Sequence, residues 1–117
     1  MKRLALTLIA LAFALQGCAM SPEQLRVAYH ATNVADAATT AARDPACLSE
    51  GNPLLGSNPS DSTVALFALG QSFIYEMIYR HLADHDLNDR LAFGRVFLGI
   101  KFVTVGWNAS MLAKGCN

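Results

Sequence analysis

The chain has 117 residues, nine basic against nine acidic, and 53% of it is apolar. That length suits one small domain, and the absence of a basic patch or charge run argues against nucleic acid as a partner. No internal repeat or low-complexity tract interrupts it.

The first residues, "MKRLALTLIALAFAL", place Lys2 and Arg3 ahead of the uncharged run Leu4 to Leu15. A short apolar run behind a positive start is a secretory signal pattern, too short for a comfortable transmembrane helix. The "AFA" at Ala12 to Ala14 offers an ordinary cleavage site before Leu15. The four residues "LQGC", Leu15 to Cys18, resemble the lipobox of bacterial lipoproteins. Leu15, Gly17 and Cys18 match that box, while Gln16 stands where a small residue is usual. The resemblance implies a signal peptide over 1–17, acyl chains on Cys18 and a mature domain over 18–117. Ala19 follows the cysteine where an aspartate would imply inner-membrane retention, so the resemblance implies a lipid anchor at the periplasmic face of the outer membrane. Two or more acyl chains hold a protein at a bilayer where one binds only marginally.

Three cysteines are present. With Cys18 given to lipid, Cys47 and Cys116 remain, and an oxidising periplasm favours a disulfide between them. Closing a loop of that length stabilises by roughly 4 kcal/mol in the chain-entropy picture. Two unrelated buried thiols are the plainer alternative.

The elements that follow predict an all-α fold: a three-helix bundle, or a helical hairpin plus one helix, behind the signal helix. The first helix is expected over about 22–43. Ser21 suits the N-cap, Pro22 the first turn, Gln24 completes a capping box, and Asp44-Pro45 ends the run. Val27, Ala31, Val34, Ala38 and Ala41 recur at steps of four and three, a narrow stripe of small side chains suited to close packing. His30, Asn33, Asp36, Thr40 and Arg43 form a polar stripe on another side, of which His30 and Asp36 are expected to face water. A Pro/Gly/Asn/Ser-rich connector leads to a second helix over about 59–83, apolar almost all round, in which Glu76 and Arg80 stand one turn apart. Asp86 is expected to cap a third helix over about 87–113, which carries Arg95 and Lys101 in an otherwise apolar run.

The second and third helices are each long enough to span a bilayer. A transmembrane hairpin has to bury Glu76, Arg95 and Lys101, at ~3 kcal/mol for each ion near the centre unless it is paired. Pairing Glu76 with Lys101 or Arg95 would offset much of that. "DAATT" (Asp36 to Thr40) followed by "EGNPLLG" (Glu50 to Gly56) also resembles an uncharacterised family of small helical membrane proteins with D-x-x-T-T and E-x-N-P-L motifs. That resemblance marks Asp36, Thr39, Thr40, Glu50 and Asn52 and implies a membrane-embedded segment, but lends no activity.

Chemistry-bearing patterns are sparse. His81 and His85 stand one helical turn apart beside Asp84, a spacing at which two imidazoles and a carboxylate can hold a metal. Leu82 stands where the zincin glutamate would be, and a polar helix end is the plainer reading. No nucleophile elbow and no phosphate-cradling loop occurs. Tyr75, Tyr79 and Trp107 are expected in the core, with an interfacial belt as the alternative if the hairpin meets lipid. The expected function is therefore that of a lipid-anchored envelope protein in a structural or interaction role, with membrane and envelope protein as partners, no cofactor and no catalysis. A small polytopic membrane protein is the alternative, and a metal-binding module a third.

Overall fold

The computed structural model describes residues 20–42, 54–55 and 58–114. They form three α-helices, with no strand among the described residues: α1 (Pro22–Ala41), α2 (Asp61–His81) and α3 (Leu87–Lys114), with a 3-10 turn Leu82–Asp84 between the last two. The all-α expectation holds. Cys18, Cys47 and Cys116, with the lipid and disulfide assigned to them, lie outside the described residues, as do Glu50 and Asn52.

Local chemistry explains the helix starts. The Ser21 hydroxyl accepts from the Gln24 amide, and the Gln24 side chain accepts from the Ser21 amide, which closes the expected capping box. At α2 the cap is Ser60, whose hydroxyl accepts from Thr63 N–H, so the helix begins two residues after the start expected at about residue 59. Asp86 Oδ1 accepts from the Asn88 amide at 3.3 Å and begins α3 as expected.

The packing differs from a simple hairpin. α1 lies against both other helices and most closely against α3, whereas α2 and α3 approach one another's backbones at few points. Contacts rise together along α1 and α3, from Leu25 against Gly94 to Asp36 against Lys101, so these two run parallel. α2 runs antiparallel to α1, with Arg26 against Glu76 and Asn33 against Ala68. One aromatic cluster knits the three. Tyr29 stacks on Tyr75 with ring centroids 4.0 Å apart, and Tyr75 meets Phe93 at 4.8 Å. Leu25, Val64 and Leu98 complete the buried apolar set. Tyr75 is in the core as expected, but Trp107 is exposed.

α1 is turned the opposite way from the sequence expectation. Val27, Ala31, Val34, Ala38 and Ala41, the stripe expected to pack, are all exposed. Asn33 is fully buried, and His30, Asp36 and Thr40 face the neighbouring helices. The physical reason lies across the interface: α2 and α3 present Ser72, Glu76, Lys101 and Asn108 there, and these need polar partners once covered.

Candidate functional site

The inward side of α1 carries two polar clusters in series. In the first, Arg26 donates from Nε and Nη2 to the two carboxylate oxygens of Glu76, at 2.7 and 2.9 Å. Such a fork fixes both side chains in one orientation. Arg26 Nη1 also reaches Glu23 Oε1 at 3.0 Å, and the guanidinium lies 5.2 Å from the centroid of the Tyr79 ring. Tyr79 OH in turn donates to Glu23 at 3.0 Å. Glu76 Oε1 also contacts His30 Nε2 at 2.6 Å, and His30 Nδ1 lies 3.2 Å from Ser72 Oγ. Asn33 Nδ2 donates to Ala68 O at 2.8 Å and to Ser72 Oγ at 2.9 Å.

The second cluster joins α1 to α3. Lys101 Nζ donates to Asp36 Oδ2 and to Gln71 Oε1, each at 2.7 Å. Asn108 Nδ2 points at Asp36 Oδ1 (2.9 Å), Thr40 Oγ1 (3.2 Å) and Thr39 Oγ1 (3.3 Å). The D-x-x-T-T spacing accounts for this convergence, because positions i, i+3 and i+4 share one helix face. Thr39 spends its own proton on the Ala35 and Asp36 carbonyls, leaving its oxygen free to accept.

The expected charge network of Glu76, Arg95 and Lys101 is therefore two separate pairs. Glu76 belongs with Arg26 and His30, Lys101 belongs with Asp36, and Arg95 is exposed. Arg80, expected beside Glu76, reaches it only at 4.0 Å. His30 and Asp36 do not pair with each other, yet each is an inward member of a cluster rather than part of a solvated face. His81 and His85 do come together, with ring centroids 5.4 Å apart at an exposed helix end beside Asp84. No group of three metal-ligating side chains occurs among the described residues.

Sequence reasoning passed over Arg26 and Asn108 and gave no partners to Gln71 and Ser72, although these two interrupt an apolar helix. A usable signal was present: Arg26, His30 and Asn33 recur at helical steps, and Ser72 and Glu76 stand one turn apart within an apolar run. Isolated polar residues inside an apolar helix need partners, and these two sets supply them to each other.

No protein-family model, curated protein or solved structure matches the chain. Its reading rests on its own residues.

Proposed function

We propose that the helical domain is a small membrane protein of the cell envelope. In this reading α3 crosses a lipid bilayer, α1 and α2 pack against it with the Arg26–Glu76 and Asp36–Lys101 pairs turned inward, and the assembly has a structural or interaction role. The observation that carries the reading is a contrast on one helix. Lys101 is 4% exposed, while Val103, two residues on, is 74% exposed. The same inversion holds around the bundle: Val27, Val34, Leu69, Phe73, Met77, Val96 and Ile100 are exposed, while Asn33 and Asn108 are buried. In water such a surface is costly, whereas against acyl chains it is the favourable one. α3 is long and apolar enough to cross a membrane by length and composition. Its 28 residues extend about 42 Å, beyond a hydrocarbon core of about 30 Å. The ion pairs answer the objection for Glu76 and Lys101, since an intramembrane charge is tolerated when it faces the bundle interior and is paired.

Cys18 lipidation, a Cys47–Cys116 bridge and an outer-membrane location are further parts of this proposal, supported by the LQGC sequence and the cysteine arithmetic. The second reading is a lipid-anchored domain lying on the bilayer surface. Alkaline carbonate extraction of membranes carrying the wild-type and the Cys18→Ser chain separates the two. An embedded bundle stays in the pellet in both cases. A surface domain held by lipid alone is released when Cys18 is replaced, and that outcome would remove the embedded reading.

A further inference from the structure

The hydrogen bonds of the first cluster have a direction that can be worked out from one fixed point. The Ala68 carbonyl can only accept, so the Asn33 atom facing it is the amide nitrogen. The second N–H of that nitrogen then points at Ser72 Oγ. With one lone pair so engaged, Ser72 can turn its own proton toward His30 Nδ1 at 3.2 Å. His30 is thereby left with its proton on Nε2, donated to Glu76 at 2.6 Å. Glu76 is clamped by the Arg26 fork. A hydroxyl, a base within reach of it, and an acid orienting that base are the parts of an activated nucleophile. Ser72 is half-buried, and the side chains of His30 and Glu76 beside it are 32% and 21% exposed.

We propose that Ser72, His30 and Glu76 form a nucleophilic site for acyl transfer from an ester. Ser72 Oγ attacks the ester carbonyl carbon and passes its proton to His30 Nδ1. The C=O bonding pair moves onto the carbonyl oxygen. Collapse breaks the bond to the alkoxy group, which leaves with the proton from His30. Water then repeats the sequence and frees the acid. Glu76 is a positioning residue that holds the imidazole. The substrate class is an ester of a long acyl chain, because in the membrane placement proposed above the seam opens toward lipid. That last element rests on the placement, whereas the nucleophile does not.

The test uses the full chain in detergent micelles, treated with a fluorophosphonate probe. Ser72 Oγ would attack phosphorus and displace fluoride, leaving a stable adduct located by intact mass and peptide mapping. The expected result is a single adduct at Ser72, absent from Ser72→Ala and from chain unfolded in SDS. In His30→Gln it should form about 100-fold more slowly, the usual size of a general-base contribution. No adduct at Ser72, or equal labelling of native and unfolded chain, would overturn the site whatever the variants do. A second arm compares p-nitrophenyl acetate with p-nitrophenyl laurate. Faster release from the laurate supports the long-chain class, and release only from the acetate overturns it while leaving the nucleophile standing. Carbonate extraction reports on the membrane placement separately.

Discussion

A methyl group on Gly94 has no room. A Cβ built there meets Leu25 Cδ1 at 2.9 Å and Leu25 Cβ at 3.0 Å, and the second of these atoms cannot move without the α1 backbone. Leu25 is fully buried, so the contact sets how closely α1 and α3 approach. Gly94→Ala is expected to lower the melting temperature followed by circular dichroism, with a cost of about 1–3 kcal/mol from overpacking. Gly99 and Gly106 on the same helix meet nothing within 4 Å. There the same change should be neutral or gain up to about 1 kcal/mol of helix propensity. Equal behaviour of all three variants would mean that α1 and α3 are not in this contact. Nothing in the sequence separates Gly94 from Gly99 or Gly106. The distinction is made by Leu25, 69 residues earlier in the chain.

At the scale of elements, α1 is fastened to its neighbours by charge. Arg26 binds it to α2 through Glu76, and Asp36 binds it to α3 through Lys101. Removing one member of a buried pair leaves the other uncompensated, at about 3–5 kcal/mol, whereas replacing both with apolar residues is often close to neutral. Lys101→Met alone should therefore destabilise strongly in denaturant titration. The double variant Asp36→Leu/Lys101→Met should recover most of the loss, which a double-mutant cycle reads directly. Additive losses would show that the two residues are not coupled. The boundaries of all three helices and the caps Ser21 and Asp86 were legible to within a few residues, because capping and turn chemistry act over three or four positions. The partners of Asp36 and Glu76 were not legible, because each pair joins residues dozens of positions apart and several opposite charges compete.

At the scale of the whole molecule, the described residues bury Asn33, Lys101 and Asn108 beside an aromatic core while large apolar side chains such as Phe73 and Val103 are exposed. That arrangement makes a sharp prediction for Val103, the most exposed apolar position on α3. Val103→Lys should cost ~3 kcal/mol if the position lies near the centre of a bilayer. Less chain should then remain in the membrane pellet after carbonate treatment. On a protein in water the same substitution would fall within about 0.5 kcal/mol. A Val103→Lys chain that inserts and melts like wild type would contradict the embedded placement.

The sequence by itself determined the helical class, the three helices and their starts, since these depend on local periodicity and on side chains bonding to backbone a turn away. It also placed Asp36, Thr39 and Thr40 on one face, as helical spacing requires. It did not determine which side of α1 faces inward. Both of its stripes repeat at helical steps, one small and apolar, the other polar, and either satisfies the period. The tertiary structure decided between them, because Ser72, Glu76, Lys101 and Asn108 converge on a single face. Burying those groups is tolerable only when His30, Arg26, Asp36 and Thr40 meet them there.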